Sequence, residues 1–424
     1  MAMTATKTKT KKRAAKASKV DAKVTKSPAK PAKTSAPTSK GRTTSGPVTL
    51  LVGTQKGAFV IKSDKDRAKW TVTGPTMLGN IVNHMVASRT DPRTILMGVR
   101  TGHLGPTVFR TQDGGKTWKE ASEPPAFPKA TSPDEKPKTV AGVFWLTEGH
   151  PSEPGVWYAG TAVGGPPGSP GAFGLFRSED GGDTWKGVKG FNDYHIFREH
   201  PDFFGTTPGG ALTHSILIDP RNKKHMIVGL SGGGVFLTRD QGKSWEPLNK
   251  GVAADFMPMP DPEFGHDPHC LMYAESNPDV IYQQNHCGIY RIVRPSDRWE
   301  RIGNNMPKEI GDIGFPVRVH PRDENTAWVV PMDGTEVWPR TSVNGKPAVY
   351  VTRDGGKSWK RQDKGLPKSA FLTTYRQAFA NDAHNPVGLY FGTSSGEIYA
   401  SHDEGKTWTA IASHLPSILA VTVA

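Results

Sequence analysis

Short apolar runs recur along the chain from residue 48 onward, each cut off within a few residues by Gly, Asp, Asn or Pro. That length and punctuation predict strands rather than helices. Val108-Phe109, Leu175-Phe176, Val235-Phe236-Leu237, Val349-Tyr350-Val351 and Ile398-Tyr399 each lead into one polar octet, Ser/Thr-x-Asp-x-Gly-x-Ser/Thr-Trp, and another strand follows. The context predicts a hairpin. Asp and the hydroxyl residues can bond turn amides, Gly permits a left-handed backbone, and Trp packs between layers. The octets occupy 111–118, 178–185, 238–245, 352–359 and 401–408, which gives Asp113, Asp180, Asp240, Asp354 and Asp403 a structural role.

Two weaker copies, at 63–70 and 292–299, complete a series of Trp residues at 70, 118, 185, 245, 299, 359 and 408. A spacing near 50 residues with several short strands per unit predicts a propeller. Earlier strand pairs recur within the units, starting near His84, Phe144, His214, His269, Phe315 and Arg376. The first unit opens directly at Val48, and a spare strand runs from Ser417 to Val423. The expected fold is therefore all-β: a single seven-bladed β-propeller over residues 47–424, its ring closed by the C-terminal strand joining the N-terminal blade.

The octets resemble the Asp-box, or BNR, repeats of sialidases, sortilin-type receptors and the plant photosystem II stability/assembly factor. The resemblance covers residues 48–424 and implies the fold; function varies among such proteins, whose boxes lie away from the active face. A sialidase resemblance would also imply a Phe/Tyr-Arg-Ile-Pro element before the first box. It is missing: the nearest string, Phe197-Arg198, continues with Glu199 and follows the second box. Xyloglucan-type hydrolases with related repeats resemble two propellers facing a cleft, and this sequence predicts one.

Charge separates the chain into two parts. It carries 54 Lys+Arg against 40 Asp+Glu, yet eleven Lys and two Arg fall in residues 1–46 beside the single acid Asp21. That tail, rich in Lys, Ala and Pro with no aromatic residue, is expected to be disordered. Its candidate partners are nucleic acid or an anionic surface; the alternative is a solubilising extension. The remaining residues are nearly neutral, so their function does not follow from net charge. No apolar signal core follows the Lys cluster, no transmembrane segment is expected, and the two cysteines cannot form a disulfide framework. A cytoplasmic monomer is the expectation.

Histidine placement carries the chemistry. His84, His214 and His269 fall at or near the starts of predicted inner strands, and His286 in an adjoining loop. If the strands around Asn277-Pro278 pair, His269 lies opposite His286. His84, His214, His269 and His286 are the candidate ligands for a divalent metal (Zn, Mn or Fe) at the channel mouth. The competing reading is that inner-strand His residues satisfy backbone groups. As an enzyme, the chain would use His214 and His269 as ligands or base, Arg376 against an anion, and Glu199, Asp267 or Asp333 for acid/base work.

Long loops at 187–213, 249–268 and 331–340 bring aromatic and acidic residues to the same face. They predict a pocket with aromatic walls. The sequence thus favours a ligand- or partner-binding scaffold, binding a small molecule, glycan or protein through a His- and aromatic-rich face. The alternative is a glycosyl hydrolase-like or lyase-like enzyme at the same mouth.

Overall fold

A computed structural model describes residues 46–103, 105–130, 132, 137–164, 173–200, 204, 211–259, 261–335 and 340–424. The basic tail expected at 1–46 therefore lies outside the described residues, except for Gly46. So do most of the Phe-rich loop after His200 and the Glu336 to Pro339 segment.

The described chain is built almost wholly of strands that pair in sequence order. The first group is β1 (Thr49–Thr54), β2 (Gly57–Ser63) and β3 (Trp70–Thr76), and the second β4 (Ile81–Ala87), β5 (Ile95–Thr101), β6 (Gly105–Thr111) and β7 (Lys119–Glu120). Next come β8 (Thr139–Glu148), β9 (Trp157–Gly164), β10 (Gly174–Ser178) and β11 (Lys186–Gly187). Two single-turn helices, α1 (Lys189–Asn192) and α2 (Ile196–Glu199), precede β12 (Leu212–Ile218), β13 (Met226–Ser231), β14 (Gly234–Thr238) and β15 (Glu246–Pro247). Then follow β16 (Pro268–Ala274), β17 (Asn277–Asn285), β18 (Gly288–Val293) and β19 (Glu300–Arg301). The series ends with β20 (Gly314–His320), β21 (Asp323–Pro331), β22 (Val349–Thr352) and β23 (Lys360–Gln362), then β24 (Phe379–Asn381), β25 (Leu389–Gly392), β26 (Ile398–Ser401) and β27 (Thr409–Ala412). The last strand, β28 (Ile418–Val423), pairs antiparallel with β1, so Val52 faces Val421.

The first strands pack on one another in succession. β28 lies against β4, β4 against β8, β8 against β12, β12 against β16, β16 against β20, β20 against β24, and β24 against β28. Apolar side chains fill the gaps between neighbouring sheets. Ile227 and Val235 meet Leu271 and Ile281 in one such layer, and Trp328 and Val349 meet Phe379, Phe391 and Trp408 in another. Each fully buried side chain of this kind stabilises the fold by about 1.5–3 kcal/mol.

Two local devices repeat. At each octet the first hydroxyl accepts the amide of the glycine four residues on, as when Thr238 Oγ1 accepts from Gly242 N at 2.9 Å. The Asp then accepts the amide and hydroxyl of the last Ser/Thr, as Asp240 does from Ser244 at 2.9 and 2.6 Å. Burial pushes the Asp240 carboxyl up, but the bonds from Ser244 and Thr238 outweigh it and bring it down to about 2. The glycines adopt positive φ, 87° at Gly182 and Gly242, which an L side chain rarely adopts.

The second device was not expected from the sequence. Gly53, Gly98, Gly160, Gly229 and Gly392 lie on second strands where the neighbouring first strand passes closest. A Cβ on Gly160 would lie 2.3 Å from the Thr213 carbonyl oxygen, and one on Gly98 would lie 2.7 Å from that of Val143. Backbone cannot retreat from such a contact without shifting a whole strand. Gly160→Ala is therefore expected to lower stability by about 1–3 kcal/mol, read as a lower urea midpoint. Gly102→Ala, whose Cβ meets nothing within 4 Å, should leave that midpoint in place.

Candidate functional site

Irregular pairing aims side chains at one end of the first strands. Pro268 pairs with Asn285 and Cys270 with Gln284, so His269 is the extra residue of a bulge. The sequence expectation of His269 opposite His286 is corrected by that one residue. His286 instead begins the turn after β17, held by its amide to the Asp267 carbonyl at 2.9 Å. Bulges re-aim side chains in this way, and strand periodicity alone does not locate them. Shifts of register also fall beside His84 and His214.

Three of the first-strand histidines perform the same structural task. Each bonds the backbone of the next first strand: His84 Nδ1 accepts from Leu146 N at 3.0 Å, His214 Nε2 donates to the Pro268 carbonyl at 3.0 Å, and His269 Nδ1 donates to that of Gly314 at 2.6 Å. They differ in what is left over. The second nitrogen of His214 meets the Ser215 hydroxyl at 2.8 Å, so both ring nitrogens are engaged. His269 turns its Nε2 to Asp267 Oδ2 at 3.3 Å, and His286 Nδ1 stands 3.9 Å from the same oxygen. Among the described residues, Asp267, His269 and His286 are the metal-capable group, with ligand atoms within 4.8 Å of one another. His84 and His214, placed with them by sequence, stand outside it.

Asp267 is the electrostatic centre. Its side chain is only 10% exposed, and Oδ1 has no hydrogen-bond partner. Burial pushes its carboxyl up, but the neighbouring His269 and the Arg376 guanidinium outweigh this and hold it well below the usual carboxylate range. Burial lowers His269, with Asp267 opposing. Arg376 lies over the Phe315 ring at 4.7 Å and donates to Ser231 Oγ at 3.0 Å, and burial lowers it to about 10. Arg340 lies 5.5 Å from the same ring. Ser231 and Phe315 escaped the sequence reading because their role depends on strands distant in the chain.

A cavity of about 600 Å³ opens beside His286. Phe256, 46% exposed, stands edge-on to the His286 ring, and Asp255, Glu309, Asp333 and the Arg301-paired Asp312 supply acids. Thr335 caps Asp333 through its amide and hydroxyl and keeps that carboxyl below its usual range. Cys287 lines the cavity as well, its thiol pushed up to about 11 by burial and hence protonated. Both cysteines are free thiols. Glu199 sits exposed on α2, with no described bond to this group. The loop aromatics Phe191 and Phe197 are packed into the core rather than forming a pocket wall.

The match to solved structures fits the strand order. A GH74 xyloglucanase from Xanthomonas campestris superposes with a TM-score of 0.59 at 17% identity, covering 88% of this chain and 55% of that one. The fold is a β-propeller. No family model matches the chain. By sequence the propeller is 27% identical over 213 residues to an oligoxyloglucan-reducing end-specific xyloglucanase of Emericella nidulans. It is 25% identical over 226 residues to a probable enzyme of the same description from Neosartorya fischeri. Both matches cover 44% of this chain and 24% of the relative, so the propeller spans about a quarter of those relatives' length. The likeness is thus to glycosyl hydrolases. No helix among the described residues is long and apolar enough to cross a membrane.

Burial, with the nearby Arg318 charge, lowers His84 to about 3, so it is neutral in the fold. An unfolded His takes up a proton below about pH 6.5. The stabilisation is therefore complete above that pH and is lost as pH falls from 6.5 toward 3. The urea midpoint is expected to be lower at pH 5 than at pH 7.5. His84→Gln should shrink the difference between the two.

Proposed function

We propose that this chain is a seven-bladed propeller of the Asp-box (BNR) type, its ring closed by β28, acting as a glycosyl hydrolase-like protein on a carbohydrate at the Asp267–His286 mouth. One observation carries the reading. In a chain with sequence likeness to xyloglucanases, the cavity beside His286 combines an exposed aromatic ring with four acids. Aromatic faces and a few convergent polar groups are the usual form of a small-ligand site. Glycoside hydrolysis further needs two carboxyl groups with different protonation, an acid for the leaving oxygen and a base or nucleophile opposite. Asp267 and Asp333 are kept ionised by their neighbours, which suits them to the basic role or to holding sugar hydroxyls. Asp255 and Glu309 line the same cavity and supply further carboxyl groups. Arg376 and Arg340 place positive charge where an oxyanion or a sugar carboxylate would lie.

The test is calorimetry and reducing-sugar release with xyloglucan oligosaccharides, and with oligogalacturonate as the acidic comparison. Saturable binding with turnover supports the hydrolase reading. Binding without turnover leaves the scaffold reading, and binding by neither class overturns the carbohydrate site. Phe256→Ser should weaken the interaction about tenfold, the equivalent of about 1.4 kcal/mol, while leaving the unfolding midpoint unchanged.

A further inference from the structure

Beyond the carbohydrate reading, we propose that Asp267 Oδ2, His269 Nε2 and His286 Nδ1 bind one divalent first-row transition cation of the Zn²⁺ class. The argument starts from the His269 ring. Its Nδ1 lies 2.6 Å from the Gly314 carbonyl oxygen and must carry the hydrogen. In the neutral ring, Nε2 then presents a lone pair to the Asp267 carboxylate at 3.3 Å. Two lone pairs facing each other in a buried site repel unless a cation stands between them.

Two further observations favour a metal over a proton shared by His269 and Asp267. A second imidazole, His286 Nδ1, converges on the same Oδ2 at 3.9 Å, which a proton on His269 does not require. The remaining carboxylate oxygen, Oδ1, is buried without a partner, although such groups are almost always satisfied. The spacing also fits. Ligands about 2.1 Å from one ion and at the tetrahedral angle lie about 3.4 Å apart, and the observed 3.3 and 3.9 Å bracket that distance. A small rotation of the partly exposed His286 ring would close the longer gap.

The surroundings are those of a ligand set. A metal-binding His commonly donates its other nitrogen to a backbone carbonyl, as His269 does to Gly314. Two imidazoles with one carboxylate favour Zn²⁺ or Fe²⁺ over the all-oxygen preference of Ca²⁺ and Mg²⁺. Three protein ligands leave positions for water or a bound group, and His286 opens them to the 600 Å³ cavity.

Full-length protein, purified without an affinity tag and stripped with EDTA, is titrated with Zn²⁺ by calorimetry and with Co²⁺ by visible absorption, with no sugar present. One saturable equivalent is expected. Asp267→Asn and His286→Ala should weaken it at least about 100-fold, and His103→Ala, on an exposed turn, should keep it. Because His286 is 37% exposed, its replacement should fold normally even if the Asp267 variant does not. Absence of a saturable equivalent in the wild type would mean that His269 holds a proton instead, and overturns the inference. Unchanged affinity in His286→Ala overturns it too. Metal binding without any sugar binding would leave the ion site standing and remove the carbohydrate reading; sugar binding unchanged by stripping and by His286→Ala would do the reverse.

Discussion

Crowding between first strands is the constraint from which the rest of the structure follows. At five of these junctions a first strand approaches the second strand of its neighbour so closely that a single methyl group would collide with backbone or a core side chain. Glycine at 53, 98, 160, 229 and 392 makes that approach feasible. Once the strands are this close, side chains at their ends reach the next strand's backbone directly. His84, His214 and His269 do so in succession, each joining its own first strand to the following one. Cross-mouth bonds add to this closure: Gln377 donates to the Phe144 carbonyl, and Arg376 to Ser231. The tight inner packing thus supplies both the stability of the packed sheets and a set of rigidly placed polar groups at one end.

The candidate site lies where the repeat is broken. The unit built on β16 and β17 carries Gln283, fully buried, at the position where β13 carries Gly229. Its first strand is preceded by Asp267 and bulged at His269, and its turn carries His286. The other first-strand histidines are consumed by structure: His214 uses both nitrogens, and Leu146 occupies Nδ1 of His84. His269 bonds the backbone of the next first strand with one nitrogen while aiming the other at the buried carboxylate of Asp267. The proposed centre thus departs from the repeat only locally, through a one-residue bulge and a first-strand His that turns its second nitrogen to Asp267.

The sequence made much of the fold legible because its signals are local. Octet, hairpin and Trp all lie within eight residues, and the spare strand at 418–423 was identifiable because the first unit began without a partner. The glycine positions were equally present in the sequence, each after an apolar pair or triplet, but their meaning depends on a neighbouring strand that local periodicity does not place. At the site, the sequence named His269, His286 and Asp267 as candidates, and the structure brings these three side chains together. Their grouping without His84 and His214 was not legible. It turns on which ring nitrogen a carbonyl takes, and that is settled by a bulge one residue long. Glu199 shows the opposite failure: lying near His200 in sequence suggested the mouth, but a short helix leaves it exposed to solvent.

Charge at the mouth gives the final constraint on what can bind there. Around Phe315 stand Arg376 and Arg340, with His269 and His286 close by, and the carboxylate of Asp267 acts on Arg376, Arg340 and His269 alike. Burial already lowers Arg376 to about 10, which reports the cost of holding its charge away from water. A ligand bringing negative charge, or developing it during reaction, would relieve that cost more than a neutral one, because the low-dielectric surroundings strengthen each interaction. Adding a divalent ion beside Asp267 would sharpen the preference by neutralising the carboxylate charge that now faces Arg376. The same arrangement that makes the free site electrostatically uneasy therefore favours an anionic or polarisable oxygen next to Arg376, and that is the geometry in which binding energy can be turned toward chemistry.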